Sequence, residues 1–406
     1  MQRFEKHSPV VVTEVTTRHE LRQFMQYPNR LYADNPNYIP SFYGDDLSDW
    51  TPGKNPAFDY CEARCWLARR DGEIVGRIGA ILSHKANEKF GTHCMRFSQV
   101  DFVDDSEVSA ALFGTVERWA REKGCDQVHG PLGFTDMDRE GMLVEGFDRR
   151  SLFFTNYNAP YYLEHLTRLG YRKDVDWIEY RITVPEPGGA EAERLHKLSE
   201  FILKRKHLHV ATVHHKSEYG PFVRQVFELV NAAYAPLYGV VELSDEQIER
   251  YANKFIPLVD PDFVCFVVDE QDQLVAFGVT ALDPSVALKH SDGRLFPFGW
   301  AGVLNDLHHS DTLIMLLTAV RPDLQTEGIN AVMMDHVCQS CNRHGVRFAE
   351  TGPMLELNDH ILAQWKRLEK EQHKRRRCFI KDLDHDVNAA NAAAAQTETP
   401  ETESAE

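Results

Sequence analysis

A short polar loop in the last quarter of the chain has the residue types expected of a phosphate-binding site. Residues 313–320 form an apolar run typical of a buried strand, Pro322 marks a turn, and the loop 325–331 leads into a helix. A strand followed by such a loop and helix gathers backbone N–H groups and the positive end of a helix dipole at one place. The spacing predicts a site for phosphate or pyrophosphate, with an ordinary strand–helix turn as the alternative.

A second stretch with chemical potential is acidic and spans residues 136–148. Its five carboxylates alternate with glycine and apolar side chains: Asp136, Asp138, Glu140, Glu145 and Asp148. Crowded like charges raise carboxylate pKa values, which suits a general base or a site for a cationic amine. Glu145 and Asp148 are the preferred candidates because they lie in the more apolar part. A solvated loop with helix caps and ion pairs is the alternative.

Amide and phenol side chains follow at the start of a predicted helix: Asn156, Tyr157, Asn158, Tyr161 and Tyr162. Asn158 is a suitable helix N-cap. A phenol at this place could also donate a proton across a cleft, and Tyr161 is the candidate for that catalytic role. The alternative is aromatic packing beneath the acidic stretch.

The cysteines and histidines do not predict a metal site. Cys338 and Cys341 are flanked by His336 and His344, but His336 would point elsewhere on a helix, and no second ligand pair lies at zinc-finger spacing. The eight cysteines are scattered through strand-like and helix-like segments, which indicates reduced thiols. None lies in a nucleophile motif.

Length and composition indicate a globular protein with two domains, because the chain has 406 residues and 43% apolar content. A net charge of −17 argues against nucleic acid or an anionic membrane as the main partner, and we expect membrane contact to be peripheral at most. The N-terminal segment is polar, and the longest apolar run is too short to span a bilayer. We therefore expect a cytoplasmic protein, with a disordered acidic tail over residues 386–406.

A weak internal repeat predicts two similar α/β units. Residues 65–76 form a strand–turn–strand pattern that returns at residues 265–276. Farther along, each half has a helix, a glycine, a short strand and then Gly-Pro, at residues 130–131 and 352–353. Prolines and glycines near residue 187 interrupt the pattern, which predicts domains over 1–187 and 188–385.

The order of elements in each half resembles the GNAT fold, the fold of many acyl-CoA N-acyltransferases. Gln325-x-x-Gly328-x-Asn330-Ala331 is similar to its acyl-CoA loop, (Arg/Gln)-x-x-Gly-x-(Gly/Ala). The first half contains Gly-Pro, then Gly-x-Leu-Val-Glu-Gly-Phe-Asp at residues 141–148, Asn-x-Pro-Tyr-Tyr at 158–162 and Gly-Tyr-x-Lys at 170–173. These motifs resemble a tandem GNAT-like family that includes the bacterial ceramide synthases. The similarity covers nearly the whole chain.

The resemblance implies an α/β fold with a mixed sheet, built from two GNAT-like domains in tandem. It also implies an enzyme that moves an acyl group from acyl-CoA, acetyl-CoA or acyl carrier protein to an amine, with no metal. The acceptor would be a small molecule or a lipid, for example a sphingoid-type amine that takes a long acyl chain. The second half would hold the cofactor through the end of one strand and the loop after it: Thr318, Val320, Gln325, Thr326, Glu327, Gly328, Ile329, Asn330 and Ala331.

Two departures from the GNAT pattern keep other functions open. Trp365 lies seven residues after Asn358, where many GNAT enzymes have a tyrosine acid, and indole is a poor proton donor. The first half lacks the cofactor loop and would shape the acceptor side. A non-catalytic GNAT-like ligand sensor is one alternative. An aminoacyl-tRNA-dependent transferase of the same fold is another, but it would need a basic surface.

Overall fold

A computed structural model describes residues 8–383, and the tail predicted to be disordered lies outside these described residues. The strands in chain order are β1 (Val11–Glu14), β2 (Cys61–Arg70), β3 (Glu73–Ser83), β4 (Cys94–Phe102), β5 (Gln127–Gly130), β6 (Met142–Glu145), β7 (Arg172–Thr183), β8 (His209–Val210), β9 (Val264–Val268), β10 (Leu274–Leu282), β11 (Thr312–Val320), β12 (Phe348–Glu350), β13 (Met354–Leu355) and β14 (Lys370–Asp382). The α-helices are α1 (Arg18–Leu31), α2 (Tyr43–Asp49), α3 (His84–Phe90), α4 (Ser106–Glu122), α5 (Tyr162–Arg168), α6 (Ala190–Lys206), α7 (Gly220–Tyr234), α8 (Asp245–Phe255), α9 (Ser285–His290), α10 (Gly299–His309), α11 (Asn330–His344) and α12 (Asp359–Ala363).

The strands join in one mixed sheet, and the predicted α/β fold class is confirmed. Its order is β1-β2-β3-β4-β5-β14-β7-β12-β11-β10-β9-β8, with β6 paired to β14 and β13 paired to β7. The runs β2 to β5 and β9 to β12 have the same pairings, two antiparallel and then one parallel. In each run a long helix, α4 or α11, makes the parallel crossover. The predicted internal repeat is therefore a repeat of structure.

The two halves exchange their last strands. Strand β14 of the second half lies between β5 and β7, where it pairs with β5 and β6 of the first half. Strand β7 of the first half continues the sheet toward the second half and pairs with β12 and β13. Each half thus completes the sheet of the other. The division into 1–187 and 188–385 remains a prediction about chain segments.

Buried ion pairs hold the seam between β7 and β14. Lys374 and Arg376 are fully buried, although their basic run resembles an exposed edge in the sequence. Glu179 forms an ion pair with each, at 3.2 Å from Lys374 Nζ and 2.5 Å from Arg376 Nε, and accepts a hydrogen bond from Arg376. Burial opposes the ionisation of Glu179, but the two cations outweigh it and lower its pKa to about 2. Removing one partner would leave a buried charge unpaired, which is strongly destabilising.

Each half has its own apolar core against one face of the shared sheet. In the first half, α4 packs Val108, Leu112 and Val116 at helical spacing against β2 to β4. In the second half, α11 and α6 cover β9 to β12, and Leu195 and Ile202 of α6 are buried there. Within residues 8–383, no helix has both the length and the apolar composition required to cross a bilayer.

Candidate active site

The neighbouring strands β11 and β12 separate after a short stretch of parallel pairing. They pair only where residues 312–314 lie beside residues 348–350. Leu316 is an extra residue on β11 relative to β10, which makes a bulge at the point of separation. Beyond the last β12 residue, Thr351 donates its N–H to Tyr180 of β7 instead. Residues 315–318 consequently lose their strand partner on that side and are partly exposed.

Two cavities lie beside this opening and share part of their lining. The first, about 90 Å³, is mainly apolar and lies against α6 and α11. The second, about 200 Å³, lies against α7 and the acidic stretch of the first half. The residues common to both linings belong to β11 and to the end of α12: Met315, Leu317, Thr318, Gln364 and Trp365. The opening between the strands therefore connects an apolar site with an acidic one.

The predicted phosphate loop is a turn with uncapped backbone donors. Gly328 has φ +79°, and the first residue of α11 follows two positions later without a side-chain cap. The N–H groups of Thr326, Gly328 and Ile329 have no acceptor among residues 8–383. Gln325 donates its amide to the carbonyl of Val320, at 3.3 Å, and so holds the loop to the end of β11. Free N–H groups at a helix N-terminus are suited to an anion.

The predicted cofactor residues lie along a path from the opening to this loop. Thr318 lines both cavities, and Asn330 lines the apolar one. Ile329 and Ala331 are buried, so they anchor the turn rather than contact a ligand from solvent. Glu327 forms an ion pair with Lys206 at the end of α6, 2.6 Å away, which places cations beside the loop. The role of these residues in cofactor binding remains a prediction.

Two carboxylates of the acidic stretch line the second cavity. Asp136 and Glu140 belong to the loop between β5 and β6, and neither forms an ion pair with another described residue. Burial is the main cause that raises the pKa of Asp136 to about 6 and holds the pKa of Glu140 well above its usual range. The charge of Asp136 also raises the pKa of Glu140. One oxygen of Asp136, Oδ1, is buried without a hydrogen-bond partner.

The three residues preferred from the sequence lie elsewhere. Glu145 is at the end of β6, where its half-exposed side chain pairs with Arg375 at 3.3 Å. Asp148 is 83% exposed beside Arg149. Tyr161 donates its hydroxyl to the backbone carbonyl of Phe102. None of the three lines either cavity, and their catalytic roles remain predictions that this geometry does not favour.

A tyrosine that sequence reasoning missed lies at the opening. Tyr234, the last residue of α7, lines the second cavity and donates its hydroxyl to the carbonyl of Thr318 at 2.8 Å. Burial raises the pKa of Tyr234 to about 12, so its phenol stays protonated. Trp365, where GNAT enzymes often have a tyrosine, donates its indole N–H to Met354 Sδ. No sequence signal marks Tyr234, because α7 meets β11 only through tertiary packing.

The thiols near the opening are not activated nucleophiles. Cys338 and Cys341 line the apolar cavity, and burial raises their pKa values to about 11 and about 12.

Farther along the seam, donor atoms of His129, Asp174 and Cys378 lie within 4.8 Å of one another. The hydroxyl of Tyr238 fills the space between them, at 3.1, 2.5 and 3.4 Å respectively. This group is therefore satisfied by a phenol without a metal ion.

Known proteins match most of the length of the chain. Protein YghO of Escherichia coli strain K12 is 27% identical over 379 residues, covering 92% of this chain and 95% of that protein. The bacterial ceramide synthase of Caulobacter vibrioides is 28% identical over 300 residues, covering 72% and 75%. A tandem GNAT protein of the clavulanic acid biosynthesis pathway superimposes with a TM-score of 0.52 at 14% identity, covering 92% and 99%. The chain is a tandem GNAT-fold protein.

The resemblance inferred from the motifs is thus confirmed, although no protein-family profile matches the chain. In this tandem GNAT-fold protein, the cofactor-type loop belongs to the second half, and the acidic wall of the opening belongs to the first.

Proposed function

We propose that this protein is an N-acyltransferase that moves an acyl group from a coenzyme A thioester to an amine. The observation that carries the proposal is the opening between β11 and β12. On one side it leads along an apolar cavity toward a helix N-terminus with free donors. On the other it meets the two partly buried carboxylates of Asp136 and Glu140. The similarity to a protein named bacterial ceramide synthase supports acyl transfer.

The second half, residues 188–385, binds the thioester in this proposal. The pyrophosphate lies at the loop N–H groups, where Gly328 permits close approach of the backbone. The pantetheine arm follows residues 315–318 of β11, whose edge has lost its strand partner. Backbone N–H groups on that edge are placed to stabilise the developing oxyanion. Acetyl-CoA, a longer acyl-CoA or an acyl carrier protein would all present the same thioester.

The first half, residues 1–187, supplies the acceptor side. An amine enters as an ammonium ion, and an ionised Asp136 attracts it and then takes up its proton, with Glu140 beside it. The free amine attacks the thioester carbonyl. As the tetrahedral intermediate collapses, the C–S bond breaks and the nitrogen loses its second proton through solvent, which restores the phenol that protonates the thiolate. Tyr234, held protonated at the opening, donates a proton to the departing thiolate. Attack is direct, because the nearby cysteines are protonated thiols.

The primary test is turnover. The full-length protein is incubated with acetyl-CoA or longer acyl-CoA and a panel of amines, including small polyamines and sphingoid bases. Free thiol is then measured, and the products are identified by mass spectrometry. We expect amine-dependent thiol release. Tight CoA binding with no turnover for any acceptor would instead favour a ligand sensor, which Trp365 at the usual tyrosine position keeps as the second candidate.

The cofactor site is tested separately through Gly328→Val. A side chain here is strained at φ +79° and would contact Ile202 at about 3.2 Å, so the loop N–H groups can no longer close on a pyrophosphate. We expect CoA binding by calorimetry to fall at least ~10-fold. Gly345→Val is the matched control, since Gly345 has φ +71° at the other end of α11, with open space around it. Equal CoA affinity in folded Gly328→Val would put the site elsewhere.

A further inference from the structure

The connection between β10 and β11 has an exposed apolar surface that the proposed reaction does not use. The corresponding connection in the first half, residues 84–93, exposes a single large apolar side chain, Phe90. Residues 283–311 of the second half instead contain α9 and α10 and expose six. These six form what we name the apolar tip: Val286, Leu295, Phe296, Phe298, Trp300 and Leu304. Phe296 and Phe298 are 82% and 80% exposed.

The apolar tip is ordered by its own hydrogen bonds. Trp300 donates its backbone N–H to Leu295 and its indole N–H to Pro297, at 2.9 and 3.1 Å. The base of the tip is tied to the first half, because Tyr43 donates its N–H to Gly293 at 3.0 Å. A Cβ on Gly293 would meet a backbone oxygen at 1.9 Å, so the two segments are in close contact. The aromatic rings are therefore presented from a fixed scaffold.

The stretch that carries the aromatic rings of the apolar tip, between Asp292 and Asp306, has no acidic residue, in contrast to the chain as a whole. Residues 293–304 contain no acid and one base, Arg294. Arg294 and Arg22 line a groove of about 960 Å³ directly beneath Phe296, and neither forms an ion pair within residues 8–383. The other two cations of this groove, Arg250 and Lys254, are both paired with Asp49. Two guanidinium groups are thus left to face an external anion.

Asp45 is the carboxylate that lines the same groove, and burial raises its pKa. Against this one carboxylate the groove presents four basic side chains, two of which, Arg22 and Arg294, form no ion pair within residues 8–383. The balance of side chains in the groove therefore favours phosphate over a cation.

We propose that the apolar tip inserts into the headgroup region of an anionic lipid bilayer, with Arg22 and Arg294 binding lipid phosphates. Trp and Phe are favoured at the membrane boundary, and adjacent arginines add attraction to anionic lipids. Contact of this kind requires no spanning helix. Membrane contact through the apolar tip does not depend on the proposed reaction or on the identity of the acceptor. A second copy of the chain is the other occupant that the test must exclude.

Flotation of the full-length protein with vesicles tests the proposal. We expect the wild type to bind vesicles of phosphatidylcholine with phosphatidylglycerol, and Phe296→Ser with Phe298→Ser to lower partitioning on the order of 100-fold. Phe201→Ser removes an exposed phenylalanine outside the tip and should bind as the wild type does. Failure of the wild type to bind, or unchanged binding by the double variant, would overturn the proposal.

The arginines are tested by lipid charge. Arg22→Gln and Arg294→Gln should each weaken binding to anionic vesicles about 5-fold and binding to phosphatidylcholine alone less, because choline offsets the charge of its phosphate. Equal loss on both kinds of vesicle would contradict the headgroup role. Light scattering without lipid gives the last comparison: a wild-type dimer that the Phe296 and Phe298 substitutions dissociate would mean that the tip binds a second copy and not a membrane.

Discussion

The two halves share strand order and pairing in the runs β2 to β5 and β9 to β12. They differ at the start of the helix that follows the third strand of each run, which is α4 after β4 and α11 after β11. In the first half, three residues connect β4 to α4, and Asp105 caps that helix by accepting from the N–H of Glu107 at 2.8 Å. In the second half, nine residues connect β11 to α11, and the loop keeps N–H groups without acceptors. The same helix end is satisfied by an internal carboxylate in one half and is left for an external anion in the other.

The edge of that third strand, β4 or β11, is also closed in the first half and open in the second. In the first half, Leu132 donates its N–H to Phe97 at 3.0 Å, and Arg96 donates to the carbonyl of Gly133, so the segment after β5 is tied to β4. In the second half, the segment after β12 follows β7 and leaves β11. The duplicated fold therefore has one half in which the edge of this strand is closed and one half in which it is open, and the open half is the one proposed to bind the cofactor.

The largest effect that tests this division is expected from the carboxylates of the closed half. Asp136→Asn and Glu140→Gln keep size and hydrogen bonding but remove the negative charge that faces the opening. Loss of a general base typically costs ~10²–10⁴-fold in rate. We expect kcat/KM, measured by thiol release, to fall by that order for Asp136→Asn. CoA affinity should remain unchanged, since the proposed cofactor site lies in the other half.

The matched controls come from the same acidic stretch. Glu145→Gln and Asp148→Asn change exposed carboxylates and should stay within a few-fold of the wild type. Since burial raises the pKa of Asp136 to about 6, and a base acts only when ionised, kcat/KM should rise with pH through about 6. Asp136→Asn should lose that limb. If the exposed pair were the sensitive one, the second cavity would not be the acceptor site.

Sequence reasoning found the parts of the site that are local in the chain. The loop 325–331 is contiguous with its strand and helix, so spacing alone predicts its form. The acidic stretch was also identified, but which of its members reach the cavity depends on how the segment after Gly130 folds back. Glu145 lies on β6 beside β14, a strand more than two hundred residues later. Pairing over such a distance leaves no pattern in a single sequence.

The exchange of β7 and β14 escaped prediction for a related reason. Each segment reads as the last strand of its own half, and strand propensity does not specify a partner. The buried positions of Lys374 and Arg376 follow from that exchange, because an edge strand becomes a central one. Tyr234 likewise reaches Thr318 across a helix–sheet contact, so the phenol at the opening was missed, whereas Trp365, at the position marked by the resemblance, lines both cavities.

A smaller effect is expected when the N-terminus of α11 is given a negative charge like that of Asp105 at the N-terminus of α4. Asn330→Asp places a carboxylate at the first residue of α11, where it stabilises the helix dipole by ~0.3–1 kcal/mol and repels a pyrophosphate. At an effective dielectric between that of water and a protein surface, this repulsion lowers CoA affinity about 10-fold. Asn330→Ala removes the amide without adding charge and should bind CoA nearly as the wild type does. Equal affinity of all three proteins would mean that the phosphates lie away from this helix end.

The smallest effect is expected from the reverse change, in which α4 loses the carboxylate of Asp105 at its N-terminus. Asp105→Ala removes the cap of α4 and should lower the free energy of unfolding by about 1 kcal/mol. Asp105→Asn retains the cap but not the charge that pairs with Arg70, so comparing the two in thermal unfolding separates cap from ion pair. Calorimetry of Asp105→Ala should still give one CoA per chain, because the three-residue connection has no loop to surround a pyrophosphate and Leu132 still closes the strand edge. Two CoA molecules per chain would mean that a single carboxylate had kept the first half from binding cofactor, and that the halves differ by capping alone.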